Sequence, residues 1–143
     1  MDTNITNTDD TIDMRDVIAR IEELREERDG WVLGAPDGSE TPNPEGWAND
    51  NTDDADELET LEALAYEFKG YGGDEQWDGD WYPVTLIRDS YFEDYAQELA
   101  EDIGAINSDA SWPNNCIDWE RAARELRMDY TSGEFDGVTY WAR

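Results

Sequence analysis

The chain has 143 residues, with 38 Asp and Glu against ten Lys and Arg and no His, which gives a formal net charge of -28. An electrostatic field of this size repels nucleic acid and anionic membranes and attracts strongly basic surfaces. The absence of His excludes His-based acid–base catalysis and His-containing metal centres. Seven Trp, seven Tyr and three Phe can fill a core, so we expect a folded chain in spite of its acidity.

The start of the chain is polar. Residues 1–10 (MDTNITNTDD) predict a flexible tail, because they offer nothing to bury. The start of the sequence lacks the basic segment and the apolar segment that are typical of a secretory leader, so none is predicted. No apolar run approaches the roughly 20 residues of a membrane span. The single cysteine, Cys116, excludes an internal disulfide. We therefore expect a cytoplasmic protein that does not contact a membrane.

Two helices are predicted within residues 11–70. The first begins at Asp13 as N-cap and ends at Gly30, and its apolar stripe is Met14, Val17, Ile18, Ile21 and Leu24. Residues 31–51 are rich in Gly, Pro, Asn and Asp, so they predict a long loop with Trp31 and Trp47 at its ends. The second helix begins near Asp54, with Glu57 as a capping-box partner, and buries Leu58, Leu61, Leu64, Ala65 and Phe68. Packing of the two stripes predicts a helical hairpin.

The rest of the chain mixes helices and strands. Residues 70–83 predict a second loop, Val84 to Ile87 a short strand, and residues 118–127 a helix capped by Asp118. A third helix runs from Asp89 or Ser90 to just before Gly104, with an inner face of Phe92, Tyr95, Ala96, Leu99 and Ile103. Asp136-Gly137 between β-prone runs predicts a terminal hairpin.

The predicted fold class is therefore α+β and helix-rich. An N-terminal helical hairpin is followed by two helices and a C-terminal β-hairpin. The predicted organisation is a flexible tail over residues 1–10, an acidic helical hairpin over 11–70, and an α+β domain over 71–143.

No residue pattern predicts catalysis, a cofactor or a metal site. Cys116 has no His or basic neighbours to activate it, so we interpret it as structural. Gly70, Gly72 and Gly73 follow a predicted helix and lack the downstream Lys of a phosphate-binding loop. The acidic runs at 50–59 and 74–80 lack the spacing of a calcium-binding loop. We therefore predict that the protein is not an enzyme.

The acidic residues are concentrated in the middle of the chain. Residues 31–104 hold 21 acids and two bases, Lys69 and Arg88, a net charge of -19. Carboxylates recur along the polar faces of the predicted second and third helices and in the loop between them. The residues predicted to form a target-binding acidic surface are Asp56, Glu59, Glu62, Glu67, Asp74, Glu75, Asp78, Asp80, Asp94, Glu98, Glu101 and Asp102.

The C-terminal half resembles a known family. The stretches WYPVTLIRDSYFEDYAQELAEDIGAI (81–106) and WPNNCIDWERAARELRMDYTSGEFDGVTYWAR (112–143) are similar to the ArdA-like antirestriction proteins of phages and mobile elements. The resemblance implies an acidic DNA mimic that binds a type I restriction–modification enzyme, usually as an elongated homodimer, in the cytoplasm of the host cell. The same strategy extends to inhibitors of CRISPR effectors.

Three functional readings remain open at this stage. The protein is a DNA-mimic inhibitor of a DNA-binding defence protein, an acidic adaptor or chaperone for a basic nucleic-acid-binding protein, or a salt-adapted small protein whose acidity suits a high-salt cytoplasm. None of the three predicts direct nucleic-acid binding by this chain.

The aromatic residues leave two questions open. Trp77, Trp81 and Tyr82 are either core residues or anchors of an interface amid acids. A homodimer is also possible, held by the less acidic residues 105–143 through the side chains of Trp112, Trp119, Tyr140, Trp141, Arg121, Arg124, Arg127 and Arg143.

Overall fold

The computed structural model describes residues 5–34, 38, 40–106 and 112–143. Its elements in chain order are β1 (Thr11–Asp13), α1 (Met14–Asp29), β2 (Val32–Gly34), β3 (Glu40–Pro42), α2 (Pro44–Asp50), α3 (Thr52–Phe68), β4 (Asp74–Trp77), β5 (Asp80–Tyr82), β6 (Thr85–Arg88), α4 (Phe92–Asp102), α5 (Trp119–Arg127), β7 (Thr131–Phe135) and β8 (Val138–Ala142). Short 3-10 turns precede α4 and α5. The predicted α+β class and C-terminal β-hairpin are confirmed.

A four-stranded antiparallel sheet, in the order β1-β6-β8-β7, joins the start of the chain to its end. Successive side chains of a strand point to opposite faces. Leu86 and Tyr140 lie in the core formed with α1 and α3, whereas Ile87 and Trp141 pack with residues of α4 and α5. The sheet is thus covered by helices on both faces, α1 and α3 on one and α4 and α5 on the other.

Helices α1 and α3 are built on the stripes expected of them. The Asp13 side chain accepts a hydrogen bond from the Arg15 backbone N–H, which caps α1 as predicted. All five stripe residues of each helix are buried: Met14, Val17, Ile18, Ile21, Leu24, Leu58, Leu61, Leu64, Ala65 and Phe68. The two helices pack together as predicted, although another helix, α2, lies between them in the chain.

The loop predicted for residues 31–51 is wrong, because β2, β3 and α2 fall within it. The Asn43 side chain accepts a hydrogen bond from the Gly46 N–H at 3.1 Å, and Pro44 opens the helix. An N-cap Asn followed by Pro is a helix-start signal. Trp47 on α2 is buried, whereas Trp31 is exposed. Helix α3 begins at Thr52, and Glu57 binds Arg20 instead of completing a capping box.

The loop predicted for residues 70–83 is also wrong. Strands β4 and β5 form a hairpin in which Trp77 pairs with Asp80 across the two-residue turn Asp78-Gly79. Both turn residues have positive φ, 52° and 81°, as do Asp136 and Gly137 in the C-terminal hairpin, at 49° and 83°. The same dipeptide therefore makes the same kind of turn twice.

Residues 5–10 pack against the sheet. The Tyr140 hydroxyl donates to the Asp9 carbonyl oxygen at 2.5 Å, and Arg88 Nε donates to the Asn7 carbonyl oxygen at 2.8 Å. This packing differs from the flexible tail expected there, because long-range donors reach the backbone carbonyls. Residues 1–4 of that segment lie outside the described residues. Because β1 pairs with β6, the segments 11–70 and 71–143 share one sheet and one core.

Helices α4 and α5 form the second layer. Phe92 and Ala96 are buried and Tyr95 and Leu99 are half-buried, as predicted, but Ile103 is 70% exposed, because α4 ends at Asp102 and the apolar stripe ends with it. Asp118 caps α5 by accepting from the Arg121 N–H. No helix in the part of the chain that the structure describes combines the length and apolarity needed to cross a bilayer.

Candidate functional site

The predicted acidic residues fall on two sides of the molecule. Four lie on α3: Asp56, Glu59, Glu62 and Glu67. Four lie on the β4–β5 hairpin: Asp74, Glu75, Asp78 and Asp80. Four lie on α4: Asp94, Glu98, Glu101 and Asp102. The hairpin packs into the α1–α3 core through Trp77 and Tyr82, so the first two groups share one layer and the third lies across the sheet.

The α4 acidic face consists of Glu93, Asp94, Glu98, Glu101 and Asp102, all of which are exposed. None of these carboxylates lies within ion-pair distance of a base in the described residues, which include every Lys and Arg of the chain. The Tyr91 hydroxyl donates to Glu98 Oε1 at 2.9 Å, and this hydrogen bond raises the pKa of Tyr91. Five carboxylates on 11 residues, about 16 Å of helix, amount to one per about 3.3 Å.

Two of the predicted α3 acids make contacts within the chain that stabilise the fold. Glu62 Oε2 lies 3.2 Å from Arg25 Nη2, which ties α3 to α1. Glu67 Oε2 accepts a hydrogen bond from the Glu134 N–H at 3.3 Å. That bond occupies a backbone donor on β7, one of the two edge strands of the sheet, where unpaired groups invite association with other chains. Asp56 and Glu59 are exposed and have no ion-pair partner in the described chain.

The β4–β5 hairpin borders an open groove of about 460 Å³ against α3. Among the residues that line it, Lys69 Nζ lies 3.3 Å from Asp80 Oδ2. The Arg25 guanidinium lies over the Trp77 ring, 4.8 Å from its centroid. Asp74, Glu75 and Asp78 are exposed on the hairpin. The groove therefore combines aromatic rings with charges of both signs.

The three aromatic residues of the hairpin divide between core and surface. Tyr82 is buried and Trp77 is half-buried, and both pack with the α1–α3 core. Trp81 points away and is 52% exposed. The sequence left open whether these residues belong to the core or to the surface. Trp77 and Tyr82 belong to the core, and Trp81 lies at the surface.

Further surface residues were missed from the sequence. On α1, Glu22, Glu26 and Glu27 are exposed, and no base of the described chain lies within ion-pair distance of them. Their spacing, opposite the apolar stripe of α1, could have identified them. Tyr66 and Tyr71 are also exposed, at 80% and 53%. Tyr66 lies outside the buried positions of α3, so the helical period alone predicts its exposure.

Most bases form ion pairs with acids of the same chain. Counting only pairs within the described residues, eight of the ten Lys and Arg do so: Arg15, Arg20, Arg25, Arg28, Lys69, Arg121, Arg124 and Arg127. Cys116 is an exposed free thiol. Over the described ranges, no three His, Cys, Asp or Glu side chains converge in a group able to hold a metal ion. This surface can attract and bind a cationic partner.

Comparison of the chain with protein-family models, with curated proteins and with solved structures finds no match.

Proposed function

We propose that the protein is a DNA-mimic inhibitor that occupies the DNA-binding groove of a host defence enzyme, either a restriction–modification enzyme or a CRISPR effector. The α4 acidic face carries this proposal. Its five carboxylates lie on about 16 Å of helix, an average of one per about 3.3 Å of axis, which is close to the roughly 3.4 Å per charge of one DNA strand. A groove that binds phosphates through Arg and Lys can bind carboxylates at this density.

The neighbouring helix α5 supports a functional role for the α4 charges. On α5, Arg124 pairs with Glu120 at 3.7 Å and Arg121 with Glu125 at 3.5 Å, each four residues apart. On α4, the residues four apart are like-charged: Asp94 with Glu98, and Glu98 with Asp102. Each like-charged pair costs a few tenths of a kcal/mol. Folding therefore does not require the α4 pattern, which a cationic partner would attract and bind.

The division of acids between two layers is compatible with this function. A groove that encloses a duplex contacts it on more than one side, so a mimic with carboxylates on α3 and α4 can be held between two walls. The resemblance of residues 81–143 to ArdA-like proteins favours a type I restriction–modification enzyme as target. In this account the protein acts in the cytoplasm by occupancy, with no catalysis, cofactor or membrane contact.

Salt adaptation is a second candidate, favoured by one observation. The exposed acids Glu22, Glu26 and Glu27 lie on α1, across the sheet from α4, so the acidity extends over more than one face. A salt-adapted protein unfolds when salt is removed, because self-repulsion is no longer screened. A DNA mimic remains folded in dilute buffer.

The experiment that tests the proposal is a pull-down from cells carrying restriction and CRISPR systems, followed by elution with duplex DNA. The bait with Asp94, Glu98 and Glu101 changed to Lys should lose the partner that the wild-type bait retains. The matched control changes Glu22, Glu26 and Glu27 to Lys on α1, with the same change in net charge. Equal losses from both baits would remove the geometric part of the proposal. A partner that duplex DNA does not elute would indicate the adaptor or chaperone function.

A further inference from the structure

Three exposed aromatic side chains lie near the junction of α3 with the β4–β5 hairpin. Tyr66 and Tyr71 line one groove, whereas Trp81 lies on the face of β5 opposite Asp80 and Tyr82. Tyr66, Tyr71 and Trp81 are 80%, 53% and 52% exposed, and we call them the aromatic patch. Tyr66 and Lys69 together line two adjoining grooves, one of about 460 Å³ towards Trp77 and one of about 430 Å³ towards Tyr71. The Gly70 N–H donates to the Trp81 carbonyl oxygen at 2.6 Å, which brings the backbone beside Tyr71 next to that of Trp81.

Carboxylates surround the aromatic patch. Glu67 lines the groove that contains Tyr71, and Asp78 lines the groove that contains Trp77. Glu75 lies directly opposite Trp81 across the β4–β5 ladder, so the two side chains share one face of the hairpin. The patch thus offers aromatic ring faces and acceptor oxygens next to one another.

The groove beside the aromatic patch already holds an arginine with these same two kinds of group. The Arg25 guanidinium lies 4.8 Å from the Trp77 ring centroid, while its Nη2 lies 3.2 Å from Glu62 Oε2. Stacking on a ring and pairing with a carboxylate satisfy the planar face and the edge of a guanidinium at the same time. The chemistry that binds arginine is therefore present in this groove.

Apart from Arg25, no arginine of the described chain lines either groove. The other arginines that form ion pairs in the described chain bind acids outside the aromatic patch. Lys69 is the base that lines both grooves, and Asp80 at 3.3 Å offsets its charge. The remaining rings and carboxylates can accept a guanidinium from outside.

We propose that the aromatic patch binds arginine side chains of a protein partner, each stacked on a ring of Tyr66, Tyr71 or Trp81 and paired with a neighbouring carboxylate. Lysine is a poorer ligand for this surface, because its ammonium group lacks the planar face that stacks on a ring. The inference deepens the proposed function, on which it rests for the identity of the partner, since DNA-binding grooves are rich in arginine. It names a second contact, beside the α4 acidic face, that is less sensitive to salt.

Calorimetric titration of the full chain with deca-arginine and deca-lysine peptides at 0.3 M salt tests the proposal. We expect the arginine peptide to bind more tightly than the lysine peptide. The triple variant Tyr66→Ala, Tyr71→Ala, Trp81→Ala should lose about tenfold in affinity for the arginine peptide, since each ring contributes about a factor of two. Its affinity for the lysine peptide should change by less than about twofold.

Two matched variants complete the test. The variant Tyr66→Phe keeps the ring face and should bind the arginine peptide as the wild type does. If the triple variant does not fold by circular dichroism, the single variant Tyr66→Ala, at an 80% exposed position, should still lose about twofold. Equal affinity of the wild type for the two peptides, or unchanged arginine binding by the alanine variants, would overturn the inference.

Failure of this inference is distinguishable from failure of the proposed function. If the alanine variants still capture the same partner and duplex DNA still elutes it, the α4 acidic face is sufficient for binding. In that case only the aromatic patch is refuted. If the wild type shows the arginine preference but binds no DNA-binding protein, the patch is supported and the proposed function is refuted.

Discussion

At the scale of single residues, Arg20 connects α1 to α3 through several carboxylates. Its Nε and Nη2 donate to Glu57 at 2.7 and 3.0 Å, and Glu23 lies 2.8 Å from its Nη1. The hydrogen bonds to Glu57 are the main reason that the pKa of Arg20 is raised above its ordinary value. The Arg20 side chain is only 12% exposed, so solvent screens the pair weakly.

Replacing Glu57 by Gln should therefore lower the free energy of unfolding by about 1–2 kcal/mol, because a charge-assisted bidentate contact is lost. Urea unfolding at fixed salt measures the loss. The control is Glu59→Gln on the same helix, an exposed acid with no ion-pair partner in the described chain, which should change stability by less than about 0.5 kcal/mol. Equal effects of the two substitutions would mean that the pair contributes only net charge.

Tyr140 makes the free energy of unfolding depend on pH in the alkaline range. Burial raises the pKa of its hydroxyl to about 12, compared with about 10 in an unfolded chain. The folded state then holds a proton that the unfolded state releases, so this contribution is complete below pH ~10 and is lost as pH rises towards ~12. Burial raises the pKa of Tyr130 as well, in the same direction.

Unfolding free energies at pH 8, 10 and 11 should fall with pH in the wild type and fall less steeply in Tyr140→Phe. The control Tyr66→Phe changes a tyrosine whose side chain is largely in solvent, and it should keep the wild-type slope. If Tyr140→Phe also kept that slope, the buried hydroxyl would not be the source of the pH dependence.

At the scale of elements, the β4–β5 hairpin depends on a close backbone approach. A Cβ on Gly73 would lie 1.8 Å from the Tyr82 carbonyl oxygen, and Gly73 has a positive φ of 65°. Gly73→Ala should therefore destabilise the protein by about 2 kcal/mol or more, because backbone must shift on both sides. Gly34→Ala, where a Cβ meets no atom within 4 Å, is the control and should be nearly neutral. Thermal unfolding of the two variants compares them directly.

Local signals explain which elements could be predicted. The Asp13 cap and the apolar stripes of α1 and α3 depend on residues within one helix, and they are confirmed. The β4–β5 hairpin was missed although its turn, Asp78-Gly79, has the same dipeptide as the correctly predicted turn at 136–137, because the flanking strands have only four and three residues. Helix α2 was missed because Pro44 was interpreted as a loop residue.

The candidate site was predictable in part for a similar reason. The helical period identifies the exposed acids of α4. It does not reveal that Glu62 pairs with Arg25, 37 residues earlier, or that Glu67 caps a donor of β7. Nor does it show that α3 and α4 cover opposite faces of the sheet, because strand order is set by tertiary pairing.

At the scale of the whole molecule, the net charge of -28 makes the salt dependence of folding informative. It distinguishes a DNA mimic from a salt-adapted protein. We expect the protein to be folded in buffer of about 20 mM salt and to gain stability as salt screens the repulsion among its acids. Circular dichroism between 20 mM and 2 M NaCl measures this. Unfolding in dilute buffer would favour the salt-adapted alternative.

The dimer interface expected from residues 105–143 needs correction. Tyr140 is buried in the core, and Trp119 and Trp141 are half-buried. Three of the four arginines of that segment form ion pairs with acids of the described chain. Exposed apolar side chains do remain in and beside that segment, among them Ile103, Trp112 and Met128 at 70%, 76% and 78%.

We therefore propose that the homodimer forms through these apolar residues and not through the arginines. Light scattering at physiological salt should give the mass of two chains for the wild type and of one chain for Met128→Glu, because a buried charge opposes the contact. Tyr66→Glu, on the opposite layer, should leave the dimer intact. A wild-type mass of one chain at high micromolar concentration would exclude the dimer.

The central claim is that the protein competes with DNA for a groove. The most direct measurement purifies the defence enzyme that the pull-down recovers, and titrates fluorescent duplex DNA onto it at several fixed concentrations of this protein. The account predicts that the apparent Kd for DNA rises linearly with the concentration of the protein, with unchanged maximal binding. It also predicts that the Asp94→Lys, Glu98→Lys, Glu101→Lys variant loses this effect. It also predicts that the protein alone binds no DNA. An apparent Kd that stays constant, or duplex DNA bound by the protein itself, would contradict the claim.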